Sequence, residues 1–202
     1  MKYLEEYIKQ LTSLKKGEKT KINVHFIVSE PLLSFCTDIN QKIKKYNIGF
    51  INMGVKSIIV PHISLSMGFV ENYEMLESVF EQVSVYAKTI KPFKFDATSM
   101  FFKRFSSSSP QYLFINSLQT KFLMQQKTAL DAYLKNIIFP IGWDMKNERA
   151  HITVGCYKNI TPAIHKLVNS YNAIPSCKIT QIGVSISGTR EIALSLLKVF
   201  DL

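Results

Sequence analysis

The residues best suited to chemistry are two histidines that stand in the same short pattern. Residues 62–64 read His-Ile-Ser, and residues 151–153 read His-Ile-Thr. Each histidine is thus followed by an apolar residue and then by a hydroxyl residue. In a β-strand, side chains alternate between the two faces, so each histidine is predicted to share a face with its hydroxyl partner.

Continued alternation extends both predicted faces along their strands. Ser66 is expected to share the face of His62 and Ser64, while Gly155 and Tyr157 are expected to share the face of His151. Cys156 is then expected to point away from that face. The opposite, apolar faces are suited to burial under helices.

Two imidazoles facing one another suit phosphoester cleavage by general acid–base catalysis. One takes a proton from the attacking hydroxyl or water, and the other gives a proton to the leaving oxygen. Both protonation states of histidine are accessible near neutral pH. The hydroxyls of Ser64 and Thr153 are placed to hold non-bridging phosphate oxygens, and no metal or other cofactor is needed.

The pair of motifs resembles the two H-x-T/S signatures of the 2H phosphoesterase superfamily, over residues 22–202. That superfamily includes 2′-5′ RNA ligase/cyclic phosphodiesterases and 2′,5′-oligoadenylate phosphodiesterases. The resemblance implies an α+β, bilobal fold with curved antiparallel sheets around a central cleft. It also implies that the catalytic residues are His62, Ser64, His151 and Thr153.

Further residues near the motifs are candidates for substrate binding. Tyr157 offers a ring for base stacking, and His25 faces away from its apolar neighbours in the preceding strand, where it either orients substrate or is structural. Arg149 and Lys158 flank the second motif as cations. Phe102 precedes a serine-rich loop, and the resemblance to the family implies that this loop lies at the edge of the cleft. His165 is expected at the surface.

The predicted elements after an opening helix follow the order β-α-β-α-β-β-α-β-α-β-β. Strands are predicted at 22–29, 57–68, 93–103, 111–117, 149–157, 178–187 and 191–200. Helices are predicted between them, with a Thr161-Pro162 start for the last one. We expect an N-terminal amphipathic helix over 1–17, packed on the body or lying on a membrane surface, and one bilobal domain over 18–202.

The composition is that of an ordinary globular chain with a basic surface. Its 202 residues are 47% hydrophobic and 20% charged, and the net charge is +10. A basic surface attracts polyanions, which favours a nucleotide or RNA partner. Three cysteines lack metal-ligand spacing and favour a reducing compartment. No signal peptide or membrane span is recognised, so a cytoplasmic monomer is expected.

Three functions remain open from the sequence. The first is a metal-independent phosphodiesterase acting on 2′-5′-linked oligonucleotides or 2′,3′-cyclic phosphates. The second is a nucleotide- or RNA-end-binding module with the same cleft and little turnover. The third is a structural adaptor in which both motifs are accidental. Because both histidines and both hydroxyls are present, the phosphodiesterase is favoured.

Overall fold

The fold is known from a computed structural model that describes residues 2–46, 49–54, 57–141 and 150–202. The helices and strands in these residues confirm a mixed α+β fold. The helices are α1 (Lys2–Lys15), α2 (Leu32–Lys44), α3 (Tyr73–Ala87), α4 (Thr120–Leu134) and α5 (Pro162–Asn169). The strands are β1 (Thr20–Ile27), β2 (His62–Val70), β3 (Phe93–Phe95), β4 (Ala97–Arg104), β5 (Gln111–Ser117), β6 (Phe139–Pro140), β7 (Ile152–Tyr157), β8 (Cys177–Ile179), β9 (Gln181–Ser187) and β10 (Ala193–Asp201).

One antiparallel sheet carries both motifs. Its strand order is β10-β9-β1-β2-β7-β5-β4, and β6 pairs with β2. The two halves of the predicted fold meet where β2 pairs with β7, at Ile63 and Ile152. Both isoleucines are fully buried, so this junction is fixed by the core.

Two predicted strands are each divided in the structure. The segment predicted at 93–103 forms β3 and β4, and the segment predicted at 178–187 forms β8 and β9. Strands β3 and β8 pair with each other in a separate two-stranded sheet. Around Asp96, side-chain bonds replace the ladder, because Gln119 accepts from the Asp96 backbone N–H at 3.0 Å and donates to its carboxylate at 3.0 Å. The strand predicted at 57–68 begins only at His62, and Ile59 instead makes an isolated bridge to Leu194.

The helices bury their apolar stripes. Leu76, Val79 and Val83 of α3 lie in the core. The predicted start of α5 is confirmed, since the Thr161 hydroxyl caps the Ile164 N–H and Pro162 stands in the first turn. Helix α1 packs against the sheet through Leu14, and its Glu6 carboxylate accepts from the Thr189 N–H at 2.7 Å. Among the described residues, no helix is long and apolar enough to cross a bilayer.

Candidate active site

The two motifs lie side by side on adjacent strands that run in opposite directions. Ile63 pairs with Ile152, and one further step in this antiparallel register sets His62 opposite Thr153 and Ser64 opposite His151. Each histidine therefore lies across from the hydroxyl residue of the other motif. We call the side of the sheet that carries these four residues the motif face, and the opposite side the core face.

A β-bulge follows each motif at the same position. In the β1–β2 ladder, Leu65 has no partner, because Val24 pairs with Ser66 and His25 with Ser64. In the β5–β7 ladder, Val154 has no partner, because Leu113 pairs with Gly155 and Phe114 with Thr153. An extra residue reverses the alternation beyond it. The histidine and the hydroxyl of each motif thus lie on the motif face, and beyond the bulge the side chains alternate in the opposite sense.

The bulges correct the predicted faces beyond each motif. Ser66 lies on the core face, where its hydroxyl donates to the Asp131 carboxylate of α4 at 2.7 Å. Gly155 and Tyr157 also lie on the core face, and a Cβ at Gly155 would overlap the Tyr157 ring. Cys156 is paired with Tyr112 on the motif face, although it was expected to point away.

The prediction that Tyr157 stacks on a base is therefore wrong. Its side chain is 1% exposed and lies against Gly49, where a Cβ would be 2.7 Å from the Tyr157 ring. A nucleobase has no access to this ring. Burial also raises the pKa of the Tyr157 hydroxyl.

Phe102 is also on the core face. It pairs with Leu113, and its ring makes an edge contact with His165 of α5 at 5.0 Å between centroids. Its neighbour Phe101 faces the other way and packs on Phe114 at 5.7 Å. His165 is exposed, as predicted.

Of the two predicted cations, the structure describes only Lys158. Arg149 lies outside the described residues. Lys158 is exposed just beyond β7, roughly 16 Å along the strand from Thr153. At that separation its ammonium does not reach a phosphate held by the Thr153 hydroxyl.

His62 is held as a neutral imidazole. It is 8% exposed. Its Nδ1 lies 2.6 Å from the Val60 carbonyl oxygen, which only accepts, so Nδ1 carries the proton. Nε2 is then unprotonated, and its lone pair accepts a hydrogen bond from the Asn23 amide at 3.1 Å. Burial, and secondarily His151, lower the pKa of His62 to about 4, despite the opposing Val60 carbonyl.

His25 lies beside His62 and is inaccessible to substrate. It is fully buried, its ring centroid is 4.8 Å from that of His62, and its Nε2 lies 2.8 Å from the Ser185 hydroxyl. Burial, with a smaller contribution from His62, lowers its pKa well below the usual value. Of the two roles expected for His25, the position of this residue therefore fits a structural role better than direct contact with substrate.

His151 lies on an aromatic row that extends along β4 and β5. Its ring centroid is 3.8 Å from that of Phe114. Tyr112 stacks on Phe114 at 5.7 Å, and Phe105 contacts Tyr112 at 5.4 Å. The Lys103 ammonium lies 4.5 Å above the Phe105 ring. We call Phe101, Phe105, Tyr112 and Phe114 the aromatic row.

Sequence reasoning missed Asn23 and the aromatic row. Asn23 is fully buried, and its amide also donates to the Ser64 hydroxyl at 3.0 Å. It shares the non-apolar face of β1 with His25, which was the available signal. Alternation in the β4–β5 hairpin separates Phe101 from Phe102 but does not say which one faces the motifs.

The lowered pKa of His62 predicts a loss of stability in acid. Its pKa falls from 6.5 in the unfolded chain to about 4 in the fold, so the unfolded state binds more protons between these values. The free energy of unfolding should therefore drop by about 3 kcal/mol as the pH falls from 6.5 to 4. Denaturant titration at each pH measures this, and His62→Gln should remove this share of the pH dependence.

His165→Gln is the matched control, because His165 is exposed on α5. The loss of stability in acid should persist in this variant, because His62 is intact. An equal pH dependence in wild type and His62→Gln would show that His62 is not held neutral by the fold.

The three cysteines of the described chain are free and buried. Within the described residues, no cluster of three histidine, cysteine or carboxylate side chains is arranged to hold a metal ion. Because His25 is fully buried, the groups that the motif face offers for chemistry are the imidazoles of His62 and His151 and the hydroxyls of Ser64 and Thr153.

Sequence comparison with family models and with curated proteins finds no match. Solved structures do match the fold. TT0787 of Thermus thermophilus aligns with a TM-score of 0.62 at 14% identity, over 90% of this chain and 97% of that one. E. coli LigT in apo form aligns with a TM-score of 0.54 at 14% identity, over 92% and 98%.

A third solved structure matches as well. Usb1 of Kluyveromyces marxianus aligns with a TM-score of 0.50 at 11% identity, over 91% of this chain and 99% of that one. These proteins belong to the 2H phosphoesterase superfamily. Nearly the whole length of each is covered, and the chain therefore has the 2H phosphoesterase fold that its two motifs predict.

Proposed function

We propose that this protein is a metal-independent phosphodiesterase that cleaves ribose phosphodiesters of the 2′-5′-linked or 2′,3′-cyclic type. The observation that carries the proposal is the antiparallel placement of the two motifs across β2 and β7. It puts two imidazoles and two hydroxyls on one face, which is the set that acid–base cleavage of a phosphodiester requires. The 2H phosphoesterase fold supports the same conclusion.

His62 is the proposed general base and His151 the proposed general acid. The neutral His62 has its unprotonated Nε2 on the motif face, and the substrate hydroxyl takes the place of the Asn23 amide as the donor to its lone pair. His151 is partly exposed and is therefore accessible to solvent. Ser64 and Thr153 donate to non-bridging oxygens and stabilise the charge that develops there.

For a 2′-5′ linkage, the free 3′-hydroxyl of the same ribose attacks phosphorus. His62 takes the hydroxyl proton, the bond from phosphorus to the 5′-oxygen breaks, and His151 protonates that oxygen. The products are a 2′,3′-cyclic phosphate and a nucleoside with a free 5′-hydroxyl. For a cyclic phosphate, water attacks instead and a ring oxygen leaves.

The aromatic row favours an oligonucleotide over a mononucleotide. The row begins with Phe114, which contacts His151, and ends at Phe105, which is 41% exposed. Stacking on an aromatic ring accepts any base, and the Lys103 ammonium beside it attracts phosphate. Among solved structures with this fold, E. coli LigT is described in complexes with 3′-AMP and with ATP.

Phe105→Ala should weaken the binding of longer substrates. Loss of one stacked base costs about 1–3 kcal/mol, so KM for a 2′-5′-linked trinucleotide should rise about tenfold or more. kcat/KM for a nucleoside 2′,3′-cyclic phosphate should change less, because its single base can stack on Phe114, the ring next to His151. Steady-state kinetics on both substrates measures the difference.

Tyr46→Ala is the matched control, because Tyr46 is an exposed aromatic residue at the end of α2. It should leave both substrates unaffected. If Phe105→Ala changes both substrates equally or neither, the aromatic row does not bind the flanking nucleotide.

A further inference from the structure

The carboxamide of Asn23 bridges the two functional groups of the first motif. Its Nδ2 lies 3.1 Å from His62 Nε2 and 3.0 Å from Ser64 Oγ. Asn23 comes from β1, the strand next to β2, and it is fully buried. One amide therefore contacts both the proposed base and a proposed phosphate-binding hydroxyl.

The donor geometry fits only one protonation state of His62. An amide NH₂ group donates and does not accept, so it needs the lone pair of neutral Nε2. A protonated Nε2 would face the amide hydrogens and be destabilised. The contact thus favours the state in which His62 acts as a base.

The other end of the same carboxamide has no partner. Asn23 Oδ1 is one of the buried polar atoms without a hydrogen bond among the described residues. A buried polar oxygen without a partner is uncommon and calls for an explanation. Rotation of the carboxamide by half a turn would exchange Oδ1 and Nδ2, and Oδ1 would then accept from a protonated Nε2 and from the Ser64 hydroxyl.

We propose that Asn23 is a positioning residue that holds His62 in its neutral, base-competent state and turns its carboxamide over when His62 takes up the substrate proton. The inference rests on the proposed function for its catalytic meaning. The coupling between Asn23 and the protonation of His62 does not depend on any substrate.

The surroundings of His62 give Asn23 this influence. The titratable groups that face His62 are His25 from β1 and His151 from β7. Both are imidazoles, and no carboxylate of the described residues contributes to the pKa of His62. A change from amide to carboxylate at position 23 therefore supplies the first anion beside this ring.

The test is an NMR titration of the four histidines in the protein without substrate, assigned with single histidine variants. Wild-type His62 should titrate with a pKa of about 4. Asn23→Asp should raise this pKa by about 1–3 units, because a carboxylate stabilises the imidazolium. Asn23→Ala should raise it less, because only the favourable contact with the neutral form is lost.

Ser185→Ala is the matched control, because Ser185 pairs with Asn23 on β9 and contacts His25 rather than His62. It should leave the pKa of His62 nearly unchanged. In the wild type, kcat/KM should vary little between about pH 5 and 8 through the protonation of His62. In Asn23→Asp, kcat/KM should be lower at pH 5 than at pH 8, by about twofold for a rise of one unit in this pKa and about a hundredfold for a rise of three units.

Unchanged His62 pKa values in both Asn23→Asp and Asn23→Ala would overturn the inference. If Asn23→Asp does not fold, the titration of Asn23→Ala against Ser185→Ala decides alone. A protein without turnover on any substrate would contradict the proposed function, while the titration would still judge the role of Asn23.

Discussion

His151→Ala should lower kcat/KM for a 2′-5′-linked dinucleotide by about 10²–10⁴-fold. Without His151, the leaving 5′-oxygen would have to depart without a proton. The imidazole of His25, which pairs with Ser64, cannot replace that of His151, because His25 is fully buried. His62→Ala should cause a loss of the same order, since it removes the base for the attacking hydroxyl. The two losses should not add fully in the double variant, because the residues act in one step.

The control for these variants is His165→Ala, an exposed histidine on α5 away from the motif face. It should keep wild-type kinetics. Circular dichroism and thermal unfolding should show that all the variants are folded. Near-normal turnover by His62→Ala or His151→Ala would contradict the two-histidine mechanism.

Asn40→Ala should lower the free energy of unfolding by about 4 kcal/mol. Asn40 is 2% exposed, and its amide donates to the carbonyls of Ile51 at 3.1 Å and of Val154 at 2.8 Å. Its Oδ1 accepts from the Met53 N–H at 2.8 Å. Removing the side chain takes one hydrogen bond from each of three backbone groups, and a buried group that is left unpaired costs about 1–3 kcal/mol.

The same substitution should also reduce turnover, because Val154 is the bulged residue that follows Thr153. Urea titration measures the stability, and kinetics at a temperature below unfolding measures the turnover. Gln41→Ala is the matched control, since Gln41 bonds with Asn52 near the surface. A loss in Asn40→Ala no larger than in Gln41→Ala would show that Asn40 does not hold the bulge.

The sequence predicts the motifs and their strands well because local alternation decides them. Within residues 62–64 and 151–153, each histidine and hydroxyl lie on the predicted face. Beyond the third residue the prediction fails for Ser66 and Tyr157. The extra residues Leu65 and Val154 are apolar and resemble any strand residue, so a bulge is decided by the pairing strand and not by its own sequence.

Residues far apart in the chain set the rest of the site. Asn23 and His62 meet only because β1 pairs with β2 in one register. Similarly, Phe114 reaches His151 through the pairing of β5 with β7. A single strand pattern contains neither register, so Asn23 and the aromatic row could be recognised only in the folded chain.

The two-histidine mechanism is best tested by turnover of 2′-5′-linked diadenosine in excess EDTA, with products resolved by chromatography. We expect adenosine and adenosine 2′,3′-cyclic phosphate at the rate seen without EDTA, and almost no product from His151→Ala. If 2′-5′-linked, 3′-5′-linked and cyclic nucleotides bind but none of them gives a product, the protein is a nucleotide-binding module instead. Equal products from His151→Ala, or activity that EDTA abolishes, would contradict a metal-independent mechanism with two histidines.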